Sequence, residues 1–385
     1  MIIQNGFVFT EDNRFAKRDI VVKNDRIAGI VPASSAVADG AGEIINALGC
    51  YVLPGFVDIH THGAVGHDLS DSSAEGIEAM LAHHAGHGVT SVVLATLTAP
   101  QSVLEENIKT ALPYFDKEGC GAVLRGINME GPFVSMGKRG AQNPDYIMNP
   151  SLPVFDSLYE LSQGRILIVA VAPELPGGIS FIRQASGKCA VSLAHTEADY
   201  DQGALAFQAG ASLMTHLFNG MTAFGHREPG VIGAAGDYGA YVEIISDGVH
   251  LHPSVVRAAF KWFGPERVCL ISDTMRAAGM PDGTYNTGGM QVIVKDGKAT
   301  LAGGNNSIAG SVVNLADMCR RAIGFGVPME YAIRASSQNP ANAAGLGHEV
   351  GSIQTGKRAD FILWDHELKT RAVICGGQLL RQTNV

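Results

Sequence analysis

A chain of 385 residues is long enough for a barrel-sized domain and a smaller companion, and 46% hydrophobic with 17% charged residues suits a compact globular protein. Its formal charge of −9 comes with no basic block, which argues against nucleic acid or an anionic membrane as the main partner and for a small-molecule substrate. The six cysteines (Cys50, Cys120, Cys189, Cys269, Cys319, Cys375) come no closer than fifty positions and form no C-x-x-C pair, so neither a disulfide framework nor a thiolate zinc site is expected; a reduced cytosol fits.

The N-terminal "MIIQNGFVFTEDNRF" lacks a basic start and a long apolar stretch, and the purely apolar run "ILIVAVAP" is far too short to span a bilayer, so a cytoplasmic protein is expected. The first fifty residues offer strand-like pieces, "MIIQNGFVFT", "DIVVKNDRIAGIV" and "EIINALGCYVLP", separated by Asn-Gly and Asn-Asp turn signals. From Phe56 to about residue 340 apolar strand-like runs alternate with helix-like stretches. There are eight such runs: "FVDIHTH", "TSVVLAT", "LRGINMEG", "LIVAVAPE", "AVSLAHT", "LMTHLFN", "YVEIISDG" and "RVCLISDT". Eight βα units predict a (β/α)8 barrel. The tail, "GSIQTGKRADFILWD" then "RAVICGGQLL", returns to short strands. The expected organisation is a catalytic barrel over residues 53–349 and a small β-sandwich built from both termini, 1–52 and 350–385.

Each apolar run ends in a group able to bind a metal or move a proton: His60 and His62, Glu130, His195, His216, Asp247 and Asp273. In a barrel the strand C-termini meet on one face, where active sites of this architecture lie. His60 and His62, two apart on a strand, project to the same side. With Glu130, His195 and His216 they predict a one- or two-ion site whose nitrogen and carboxylate donors suit zinc, iron, manganese or cobalt. Asp273 would face the activated water as general base and then general acid. A single histidine at a strand end is more often a hydrogen-bonded structural residue, and His83, His84, His87, His226, His252 and His348 are read that way. Glu130 or Asp273 taken alone could be a helix cap; the shared location is what favours function. Asp58 and Asp247 stay closer to a structural reading.

These residues lie in motifs that resemble a known family. "PGFVDIHTHG" is similar to the amidohydrolase superfamily at large; "MEGPF", "LAHTEA", "THLFNGM", "REPG", "SDGVH" and "ISDTMRAAG" together resemble its N-acetylglucosamine-6-phosphate deacetylases, over essentially the whole chain. The resemblance implies that Glu130, His195 and His216 hold the principal divalent ion, zinc first and iron second, and that His60 and His62 supply a second site that some members lack. It implies sugar-phosphate contacts from Ala141, Gln142, Asn219, Gly220, His250, Ile308, Ala309 and Gly310. Arg227 matches a residue that reaches the phosphate of the neighbouring subunit, which implies a homodimer. Gln142 stands where many members carry a histidine, and "LAGGNNSIAGS" reads as irregular around Asn305 and Asn306. The 4-epimer N-acetylgalactosamine 6-phosphate is therefore the nearest rival substrate. Cyclic amidases are disfavoured because run four, "VAVAPE", ends without a lysine to serve as a carboxylated bridging ligand; nucleobase deaminases and a non-catalytic sugar-phosphate binder are the more distant alternatives.

Overall fold

The computed structural model of the chain describes residues 1–35, 42–303 and 307–382. Asn305 and Asn306, and with them the expected irregularity, lie outside the described residues.

All eight predicted runs form strands of one parallel sheet: Phe56–Thr61, Val89–Ala95, Val123–Met129, Ile166–Val171, Ala190–Leu193, Leu213–Met214, Tyr241–Ile244 and Val268–Leu270. They are side by side in chain order, each followed by a helix, beginning with Ala74–Gly86 after the first and ending with Leu315–Gly324 after the eighth. The second and third strands are buried along their whole length, which is why they read as near-continuous apolar runs rather than as alternation. Helix starts carry their own signals. Ser73 accepts from Gly76 N at the first helix, and Asp199 with Gln202 forms a capping box at Tyr200–Gln208.

Contacts beyond the last strand complete the circuit. Asp273 N donates to His60 O at 2.9 Å and His62 N to Thr274 O at 2.8 Å, so the eighth strand's end is bound to the first's. Asp58 belongs to this seam: Oδ1 accepts from Ser272 N at 3.3 Å, and burial raises its carboxyl to about 6.

Strands from both termini form a second sheet, in the order 378–382, 370–375, 361–364, 51–54, 2–9, 15–23 and 26–32, with 44–46 beside strand 2–9. Ile3, Val8, Ile20, Ile27, Phe361 and Ile374, from both ends of the chain, share one buried core distinct from that of the barrel.

One element departs from the simple barrel. Residues Gly283–Thr287, Met290–Lys295 and Lys298–Leu301 form a three-stranded antiparallel sheet inserted after the eighth strand. Its turns are Gly288-Gly289 and Asp296-Gly297, all at positive φ, the chemistry that tight hairpins require.

Candidate metal centre

The strand ends deliver six side chains to one point. His60 and His62 come from the first strand, Glu130 from just beyond the third, His195 and His216 from the ends of the fifth and sixth, and Asp273 from beyond the eighth. All six are buried. Their ligand atoms fall into two groups, Glu130 with His195 and His216, and His60 with His62 and Asp273; within each group these atoms lie within 4.8 Å of one another. Glu130 stands between the groups: Oε1 is 3.1 Å from His195 Nε2 and from His216 Nε2, while Oε2 is 3.3 Å from His62 Nε2.

Tautomer logic shows what this arrangement calls for. His195 Nδ1 is 2.8 Å from Lys138 O and His216 Nδ1 is 3.1 Å from Asn219 O. A carbonyl oxygen only accepts, so both Nδ1 atoms carry the hydrogen and each Nε2 faces inward, free to bind a proton or a metal ion. Those two Nε2 atoms are 3.2 Å apart and both face the Glu130 carboxylate. His60 Nε2 is buried without a hydrogen-bond partner among the described residues. Imidazole nitrogens and carboxylates converging in a buried site need positive charge between them, which protons on the rings or a metal ion can supply. The donor set of imidazole and carboxylate therefore fits a divalent metal ion.

The electrostatics agree. Burial pushes the Glu130 carboxyl up, but His60, His195 and His216 outweigh it and hold it well below the ordinary range. Asp273 is likewise kept low, against burial, by His62, His60 and His216. Burial works against charge on His62, yet its hydrogen bonds to Asp273 and Glu130 raise it to about 10.

The backbone bends sharply to aim these groups. His195, His216 and Asp273 have φ of 43°, 28° and 46°, left-handed values that cost a non-glycine residue roughly 1–3 kcal/mol each and gather at functional sites. Gly220, at φ 59°, passes so close to His195 that an added Cβ would lie 2.8 Å from Nδ1.

A cavity of about 440 Å³ opens over the centre. The expected contact residues Ala141, Gln142, Asn219, Gly220, His250, Ile308, Ala309 and Gly310 all line it, as do His62, Glu130, His195, His216 and Asp273. Three of these residues are already engaged by other groups of the chain. The Gln142 amide is engaged at both ends, donating to Glu130 Oε2 at 2.7 Å and accepting from Thr98 N at 2.7 Å, so it holds a metal ligand. Asn219 N already donates to His216 O, so it is not a spare backbone donor for phosphate. His250 Nδ1 is 2.7 Å from Asp247 Oδ2, which leaves the neutral ring an acceptor at Nε2 and makes it a donor to substrate only when protonated. Asp247 thus orients His250, a role beyond the structural one expected of it.

Arg227 is exposed and does not line the cavity of its own chain. Residues not anticipated are Leu97, Met275, Thr287 and Val292 in the cavity wall, and Glu243 beneath the centre. Glu243 had a sequence signal: it is the one charge inside the apolar run "YVEII".

Residues 51–380 match the Amidohydrolase family. The chain is 32% identical to N-acetylgalactosamine-6-phosphate deacetylase of Escherichia coli O157:H7, covering 97% of each chain. It is 33% identical to N-acetylglucosamine-6-phosphate deacetylase of Bacillus subtilis (strain 168), over 98% of this chain and 93% of that one. The structure of a mutant N-acetyl-D-glucosamine-6-phosphate deacetylase from Mycobacterium smegmatis, in complex with N-acetyl-D-glucosamine-6-phosphate, superposes with a TM-score of 0.91 at 32% identity and covers 99% of both chains. A parallel barrel carrying histidine and carboxylate ligands at its strand ends, matched at this level, belongs to the amidohydrolase family. Within that family the chain falls among the N-acetylglucosamine-6-phosphate deacetylases.

Proposed function

We propose that the protein hydrolyses the acetamide of N-acetylglucosamine 6-phosphate to glucosamine 6-phosphate and acetate. The observation that carries this reading is the convergence of Glu130, His195 and His216 with His60, His62 and Asp273, all but the fully buried His60 lining one open cavity. An amide resists hydrolysis because water is a poor nucleophile and the amine a poor leaving group. A bound divalent ion, zinc first and iron second, one or two per chain, supplies Lewis acidity that lowers the pKa of water and polarises the acetyl oxygen. Glu130, His195 and His216 would hold the principal ion and His60 with His62 the second. Asp273, kept ionised by its histidine neighbours, takes the proton of the attacking water and returns it to the departing nitrogen. Gln142 steadies Glu130, and His250, backed by Asp247, meets substrate oxygens. Asn219, Gly220, Ala141 and the turn Ile308-Ala309-Gly310 form the wall against which the sugar lies.

The phosphate is completed in trans. Arg227 lies on an exposed loop together with Phe224, whose ring packs edge-on against Trp262 at 4.9 Å while both stay more than 40% exposed. An exposed aromatic pair at the loop that carries a guanidinium with no partner among the described residues supports a homodimer in which Arg227 reaches the partner's phosphate. The working unit is then a barrel of residues 53–349 with a small β domain of residues 1–52 and 350–385, supported by the separate core of the terminal strands. A cytoplasmic location is in keeping with six free thiols.

The test is acetate release from both acetamido sugar 6-phosphates. Faster release from the gluco epimer is expected; faster release from the galacto epimer would transfer the assignment to the substrate for which the Escherichia coli relative is named, and none from either refutes the reading. In the same assay Arg227→Ala should raise KM for the 6-phosphate and leave the unphosphorylated sugar unchanged, since the charge-assisted contact exists only for the former. Equal effects on both sugars would remove the residue from phosphate binding.

A further inference from the structure

Glu243 lies in the seventh strand, Tyr241–Ile244, fully buried below the metal-binding side chains, and no step of the reaction above uses it. Its Oε2 accepts from His60 Nδ1 at 2.9 Å and from the backbone N of His216 at 3.2 Å. Its own carbonyl accepts from Leu217 N at 2.8 Å, which fastens it to the residue after His216. One carboxylate oxygen thus touches a histidine from each of the two ligand groups.

The three histidines that project Nε2 toward Glu130 Oε1 differ in what holds their outer nitrogen. For His195 and His216 it is a main-chain carbonyl, Lys138 O and Asn219 O, which no side-chain substitution at Glu243 removes. For His60 it is a carboxylate. A carboxylate behind an imidazole fixes the tautomer, locks the ring and raises its basicity toward a cation more than a neutral carbonyl does.

We propose that Glu243 is the positioning residue of the second ion site: it makes His60 a ligand, and it sets the spacing between the two sites through the His216 backbone. The inference rests on the reading that these side chains hold metal, and not on the identity of the substrate.

Metal-free protein titrated with cobalt(II), followed by its visible absorption and by ions bound per chain, tests this without any turnover. Wild type should take up two ions. Glu243→Gln, which keeps the shape and loses the charge, should bind the first ion as wild type does and the second 10–100-fold more weakly. His60→Ala should weaken the second ion too, and adding Glu243→Gln to it should weaken that ion no further, because both act through one ring. A general packing role would instead lower the affinity for both ions and add to the effect of His60→Ala. Two ions bound by Glu243→Gln at wild-type affinity, equal weakening of both, or a single ion in wild type each overturn the proposal. If Glu243→Gln does not accumulate folded, Glu243→Asp gives the same contrast, since the shortened carboxylate withdraws from His60 Nδ1; unchanged binding of the second ion there also overturns it. Wild type that binds two ions yet releases no acetate would refute the deacetylase reading alone.

Discussion

Asp273 sits where two demands meet. Its backbone is held left-handed at φ 46° by two main-chain bonds, its own N to His60 O in the seam to the first strand and its O from Ser311 N at 2.7 Å. Its Oδ1 is 3.4 Å from His62 Nε2 and 3.7 Å from His60 Nε2, so the carboxylate borders the second ligand group while remaining in the cavity wall. Asp273→Asn keeps the size and the backbone contacts and removes the base. The variant should hold the ion on Glu130, His195 and His216 and lose about 10²–10⁴-fold in kcat, the usual worth of a general acid–base. Near-normal turnover with metal in place would move the proton to another group. His60, His62, Glu130, His195, His216 and Asp273 could be picked from the sequence because each ends an apolar run, and only a barrel makes that coincidence meaningful. Gln142 and Asp247 could not be assigned in the same way. Their roles depend on side-chain hydrogen bonds to Glu130 and His250 that loop geometry decides.

The elements divide along the same line. The barrel strands were readable because burial on both faces leaves them mostly apolar, as in "VTSVVLA", where Thr90 and Ser91 are the polar exceptions. The inserted sheet of 283–301 went unread although "NTGGMQVIVKDGKATL" carries two glycine turn signals around an alternating strand; the continuing βα period masked it. Its tip, at Gly288, packs close to Leu97, and both Leu97 and Thr287 line the cavity, so an element with no place in the repeat forms part of the site's wall.

The first helix, Ala74–Gly86, gives a test of the structural histidines. His84 is fully buried against Thr61, and burial lowers its pKa to about 3, with smaller effects from His83 and His87. An imidazole whose folded pKa lies below its unfolded value of 6.5 contributes stability at pH above 6.5 that is lost as pH falls from there toward 3, because the unfolded chain gains the proton first. By pH 5 this loss amounts to about 2 kcal/mol. In metal-free protein, His84→Gln should therefore show a smaller drop in urea stability between pH 7 and pH 5 than wild type, by about that amount. Identical drops would mean that His84 is protonated in the fold.

For the whole molecule, the path of the chain explains the position of the chemistry. The first and last segments pair in one sheet, and the seam at Asp58, His60, Asp273 and Thr274 joins the barrel's two ends within the metal-binding region. Closing the barrel and bringing His60 and His62 beside Asp273 are thus one structural event. No described helix is long and apolar enough to cross a membrane. With a metal ion on Glu130, His195 and His216, this constellation would act on N-acetylglucosamine 6-phosphate. The most direct measurement strips the protein with a chelator, counts the residual metal per chain, and follows acetate release from that sugar as zinc or iron is returned. Stripped protein should release no acetate, and activity should rise as the ion on Glu130, His195 and His216 is restored. Full-rate acetate release from protein with no measurable metal would contradict that dependence on metal.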